Sequence, residues 1–124
     1  MRIFLFYCLL AVYTYLGLSR SGAELTTVAS DKLLHFSGYV IFILVAMFAY
    51  RKRHARLFLL LFAYSVLIEV IQYFLPYRSF EVMDILANLS GLVVGSGLWL
   101  AGKWIIARLT GAPERDIPTD DGQG

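Results

Sequence analysis

The stretch Tyr64–Asn88, YSVLIEVIQYFLPYRSFEVMDILAN, decides how this chain folds. It opens as an apolar helix that carries Glu69 and Gln72. It stops at Pro76, because proline has no backbone N–H to donate and pushes the preceding residue out of helical geometry. A short loop with Arg78, Glu81 and Asp84 follows, and a second apolar run begins at Ile85 with Asn88 in its first turns. Hydrocarbon cannot solvate a carboxylate, so an acid inside a membrane-length apolar run is a functional candidate by default.

The composition of the whole chain says the same. Its 124 residues are 59% hydrophobic and only 16% charged, with a mean hydropathy of +0.68. An ordinary soluble domain is roughly 45–50% apolar and about 25% charged. The apolar residues here also form long blocks rather than amphipathic stripes. An all-α, polytopic membrane bundle is the fold class this implies. The net charge of +2 is small and its basic residues cluster beside apolar blocks, so charge reports topology and not nucleic-acid binding. Cys8 is the single cysteine and forms no intrachain disulfide.

Four blocks are candidate spans: Ile3–Leu18, Leu33–Tyr50, Leu57–Leu75 and Ile85–Ile106. A membrane helix needs about 20 residues, which the last three satisfy. The first is short and also reads as a signal peptide, with Arg2 before an apolar core and Ser21-Gly22-Ala23 placed like a cleavage site. The expectation is four transmembrane helices, or three if the first is cleaved. Residues 1–109 then form one transmembrane domain and 110–124 a disordered cytoplasmic tail. Arg2, Arg51, Lys52, Arg53, Arg56, Lys103, Arg108 and Arg115 fall on one side of such a bundle, against Arg20, Lys32 and Arg78 on the other. The positive-inside tendency places both termini in the cytoplasm and the 19–32 and 76–84 loops outside.

Depth and face then bring the polar residues together. At 1.5 Å of rise per residue, Glu69 lies about 9 Å inside Leu75, with Gln72 and Asn88 at about 4–5 Å. His35 is near the boundary and Tyr39 about 9 Å deep. Residues three and four apart share a helix face. Asp31, His35 and Tyr39 therefore form one stripe, Ser65, Glu69, Gln72 and Tyr73 a second, and Asp84, Asn88, Gly91 and Gly95 a third. Lipid cannot satisfy polar groups, so the stripes should face inward around a polar cleft. Taken singly, each residue has a plainer reading. His35, Gln72 and Asn88 can be packing hydrogen bonds, Ser30, Asp31 and Asp84 helix caps, and Arg78 a partner for Glu81 or Asp84. Gly91, Gly95 and Gly102, with Ser90 and Ser96, read as small residues that let helices approach closely.

These motifs together are DKxxH at Asp31–His35, ExxQ at Glu69–Gln72, PxRSFExxD at Pro76–Asp84 and DxxxNxxG at Asp84–Gly91. In that order, and on those helices, they resemble the VanZ-like family of small bacterial membrane proteins. The resemblance covers roughly residues 30–95. It implies a bacterial plasma-membrane protein from a family associated with glycopeptide (teicoplanin) resistance, and no particular reaction. The positions that match the pattern are Asp31, Lys32, His35, Glu69, Gln72, Arg78, Ser79, Asp84, Asn88 and Gly91.

Two functional classes follow from the residues. In the first, Lys32, Arg78 and His35 hold an anionic headgroup, such as the phosphate of a lipid-linked cell-wall precursor. Asp84 and Glu69 orient the cations, while Gln72, Asn88 and Asp31 complete a ligand-binding set. In the second, a membrane enzyme uses His35 and Glu69 as a general acid/base pair on such a lipid. Asp31, His35, Glu69 and Asp84 also form a donor set suited to a divalent cation, but neither a metal nor a cofactor is part of the expected assignment. The sequence has no GxSxG, HExxH or phosphate loop. Transport fits poorly, since there is no inverted repeat and the cytoplasmic half is apolar. The oligomeric state is left open.

Overall fold

In an apolar solvent every backbone N–H and C=O must be satisfied within its own segment, which is why long apolar runs become helices. The computed structural model describes residues 1–24, 28–51 and 53–111. They form α1 (Arg2–Leu18), α2 (Arg20–Glu24), α3 (Val28–Ala49), α4 (His54–Tyr73) and α5 (Val82–Thr110). No strand occurs among the described residues. The fold is an all-α bundle in which α3, α4 and α5 are long and apolar enough to cross a membrane.

The first helix is shorter, at 17 residues, or about 26 Å. It nonetheless lies along the same length of the bundle as α3, with opposite direction. Arg2 sits over the Phe48 ring at 5.5 Å, Phe6 and Tyr13 pack on Phe42, and Tyr13 meets Tyr39 edge-on. At the far end of α1, Gly17 faces Ile68 and Gln72 of α4.

Helices α3 and α5 make the most extensive helix pair. Lys32 meets Asp84, His35 meets Asn88, Phe36 meets Gly91, and Ile43 meets Gly95. Both series of numbers climb together, so the two helices are parallel, and α4 returns the chain between them. The bundle has two unlike halves. Tyr39, Phe42, Ile43, Ala46, Met47, Leu61 and Leu92 build an apolar core. The buried polar residues Ser65, Glu69, Gln72, Asp84 and Asn88 point inward as well. Large apolar side chains such as Leu59 and Ile106 face outward, the inverse of a soluble protein.

Several local expectations change. Helix α3 begins at Val28, so Ser30 lies inside its first turn and is not the cap. Helix α5 begins at Val82 with Glu81 at its N-cap position, so Asp84 is a first-turn residue whose carboxylate goes elsewhere. Tyr73 leaves the polar stripe: one residue from Gln72 is about 100° of helix rotation, and Tyr73 packs on Phe74 and Phe80 outside the bundle. Helix α5 continues to Thr110 before Gly111 ends it in a left-handed conformation. Residues 112–124, where the disordered tail was expected, lie outside the described residues.

Gly91 and Gly95 are what let α5 approach α3. A Cβ on Gly91 would come within 2.3 Å of the Phe36 carbonyl oxygen, and one on Gly95 within 2.3 Å of the Ile43 side chain and 2.9 Å of the Val40 carbonyl. Gly97 and Gly102 meet nothing within 4 Å, so Gly102 does not share this packing role. Overpacking a close interface costs about 1–3 kcal/mol, whereas an open helical Gly→Ala exchange gains roughly 0.5–1 kcal/mol. Gly91→Ala should therefore lower the thermal unfolding midpoint of the detergent-solubilised protein, and Gly97→Ala should keep or raise it. Equal midpoints for the two variants would remove the steric account of the α3–α5 contact.

Candidate functional site

Parallel α3 and α5 put three α3 side chains opposite the start of α5. Asp31 and His35 are four residues apart and share a face, and Lys32 lies between them in sequence. The Lys32 ammonium donates to Glu81 and to Asp84 Oδ1. Asp84 is 4% exposed, so this ion pair compensates a carboxylate that neither lipid nor water solvates. The same ammonium holds the Glu81 carboxyl below its ordinary range.

His35 stands at the centre of the cluster. Its Nδ1 lies 2.9 Å from Asn88 Oδ1. A carboxamide oxygen only accepts, so Nδ1 carries the proton and donates. The other ring nitrogen, Nε2, is 3.8 Å from Asp31 Oδ2 and 4.0 Å from Asp84 Oδ2. Behind the ring, Glu69 Oε1 is 3.9 Å from Nδ1. Glu69 has no exposed surface and neither of its oxygens makes a hydrogen bond among the described residues.

A cavity of about 190 Å³ opens beside this cluster. Asp31, His35, Gln72, Arg78 and Asn88 line it, together with Leu34 and Ile68 and, from the first two helices, Tyr13, Leu16, Gly17 and Gly22. Lys32, Glu69 and Asp84 stand behind the lining. Of the eight residues expected from sequence, five thus meet in one cavity, and the other three support its wall.

The contribution of α1 was not anticipated. Gln72 donates its amide N–H to Gly17 O at 2.7 Å. Arg78 Nη2 donates to Leu16 O at 2.6 Å and to Ser19 O at 3.4 Å, and the Tyr77 hydroxyl donates to Leu18 O at 2.9 Å. Thr14 and Tyr64 join their hydroxyls at 2.7 Å. The carbonyls at the end of α1 have no intrahelical partner, so they are free to accept. A backbone acceptor leaves no mark in the pattern of side chains. Only Thr14, a hydroxyl within an apolar block, was a readable signal. Arg78 thus pairs with α1 carbonyls, and the acids of its own loop go to Lys32.

Breaking a buried ion pair by removing one partner typically costs about 3–5 kcal/mol. The Lys32 side chain is 28% exposed, which discounts this to about 1–3 kcal/mol. Lys32→Met should destabilise the solubilised protein by that amount, and adding Asp84→Asn should restore much of the loss. A double variant as unstable as the sum of its single changes would show that Lys32 does not compensate Asp84.

A family model described as VanZ/LLP1 matches residues 12–106. No curated protein and no solved structure gives a significant match. The matched segment starts inside α1 and ends near the close of α5, so it takes in the end of the first helix as well as every residue of the polar cluster. The chain belongs to the VanZ/LLP1 family.

Proposed function

We propose that this protein is a cell-envelope accessory protein of the bacterial plasma membrane whose cavity binds the anionic head of a lipid-linked precursor. The observation that carries this reading is Arg78. It lines the cavity, and its Nε is buried with no acceptor among the described residues. An unpaired guanidinium donor in a water-poor site favours a ligand oxygen, and the planar Arg fork suits phosphate. The walls contributed by Leu16, Leu34 and Ile68 suit the first isoprenoid or acyl carbons of such a ligand.

Orientation is supported by where the basic residues gather. Arg2 packs beside Phe48 at the end of α3, next to the RKRHAR turn. The start of α4 meets Trp99 through His54, so Lys103 and Arg108 belong to the same end. Positive residues favour the cytoplasm, which turns the opposite, cavity-bearing end outward, where wall precursors are displayed. An association with teicoplanin resistance fits a site of this kind. A second reading, a lipid phosphatase or transferase, draws on the 3.9 Å approach of Glu69 to His35 and is distinguished by product release from the same lipid.

Binding of polyprenyl phosphate and of the uncharged polyprenol should be compared in detergent. The wild type should prefer the phosphate, and Arg78→Ala should weaken its binding about 10- to 150-fold, as the loss of one charge-assisted hydrogen bond of about 1.5–3 kcal/mol predicts. Equal affinity for both lipids, or for wild type and Arg78→Ala at matched thermal stability, would count against the proposal.

A further inference from the structure

We infer that Asp31, His35 and Asp84 form a binding site for one divalent transition-metal ion. The inference begins with the tautomer of His35. Asn88 Oδ1 receives the Nδ1 proton at 2.9 Å, so in the neutral ring the lone pair of Nε2 points away from Asn88. Two carboxylate oxygens lie near that nitrogen, at 3.8 and 4.0 Å. A lone pair facing two anions is repulsive, and these separations are too long for hydrogen bonds. A cation placed among the three atoms reverses the sign of that interaction. The three donor atoms all lie within 4.8 Å of one another. Zinc–ligand bonds of about 2.0–2.2 Å put tetrahedral ligand atoms about 3.4 Å apart, so an ion would draw the two carboxylate oxygens toward Nε2 by roughly half an ångström and toward each other by at most about 1.4 Å.

A second observation comes from Glu69. It is fully buried, neither oxygen has a hydrogen-bond partner among the described residues, and its Oε1 stands 3.9 Å from Nδ1, the other nitrogen of this imidazole. Among the described residues, Asp31, Glu69, Glu81 and Asp84 gather around Lys32 and His35, so the acids outnumber the basic groups they face even when the ring is protonated. An uncompensated buried carboxylate is costly, and a dication bound one residue away offsets it.

The surroundings have the form of a metal site's supporting shell. Asn88 fixes the ring orientation of His35, and Lys32 holds Asp84 Oδ1 so that Oδ2 faces the imidazole. Asp31 and His35 sit at i and i+4 on α3, which aligns them on one helix face. One imidazole with two carboxylates favours Zn²⁺ or Mn²⁺, since imidazole suits transition ions and carboxylates also take Mn²⁺. The cavity wall at Asp31 leaves further positions for water or for a ligand oxygen.

This inference stands apart from the lipid reading and is tested with the metal alone. Tag-free protein, stripped with chelator and dialysed against micromolar ZnCl₂ or MnCl₂ in detergent, should retain one equivalent per chain and unfold at a higher temperature than the stripped form. His35→Gln and Asp31→Asn should each weaken that uptake at least tenfold. Asp31 is only partly buried, so Asp31→Asn provides a folded variant should His35→Gln be unstable. Wild-type protein that retains no more metal than His35→Gln, or an Asp31→Asn variant that binds like wild type, overturns the assignment.

Discussion

Hydrocarbon offers no hydrogen bonds, so the polar side chains of this bundle find partners within the protein, some on their own helix like Ser65 and Ser90 and others across a helix interface. That constraint orders the structure. Lys32 reaches from α3 to Asp84 on α5, His35 to Asn88 beside it, and Gln72 from α4 to the last turn of α1. These links tie α3 to α5 and α4 to α1 at one end of the bundle. The other end is held by side-chain packing around Phe42 and Leu92. Polar pairing sets which faces meet, and Gly91 and Gly95 set how closely.

A buried acid escapes this pairing, as do Arg78 Nε, Ser96 Oγ and Trp99 Nε1. Glu69 lies among the best buried of the described residues, yet none of their donors bonds either of its oxygens. A protein that needed only stability would place an apolar residue there, because a buried unpaired acid is destabilising. Its place behind His35, beside a cavity that Arg78 and Asp31 also line, gives the cluster both an acidic and a basic side. The acidic side suits a cation and the basic side an anion. A headgroup phosphate bridged to a bound dication would use both without changing the fold.

Much of this was legible in the sequence because the relevant signals are local. Apolar length marked α3, α4 and α5, Pro76 marked the end of α4, and the spacings from Asp31 to His35 and from Asp84 to Asn88 placed pairs on single faces. Partner choice was less legible. Charges in a sequence carry no distances, and a modest rotation of α5 decides whether Asp84 meets Lys32 or Arg78. The role of α1 was hidden for a different reason: it contributes the backbone oxygens of Leu16, Gly17 and Leu18, which any residue type supplies. Tyr73 was misplaced because a stripe inferred from spacing is wider than the face the neighbouring helices cover.

The central claim is that Glu69 is held unpaired for function and not for packing. Thermal unfolding of Glu69→Gln, stripped of metal and lipid, tests it most directly. The substitution keeps the shape and removes the acid, and burying a neutral amide is less costly than burying a carboxylate. The account predicts an unfolding midpoint equal to or above that of wild type. A midpoint well below wild type would show that the carboxylate holds the bundle together and would contradict the claim.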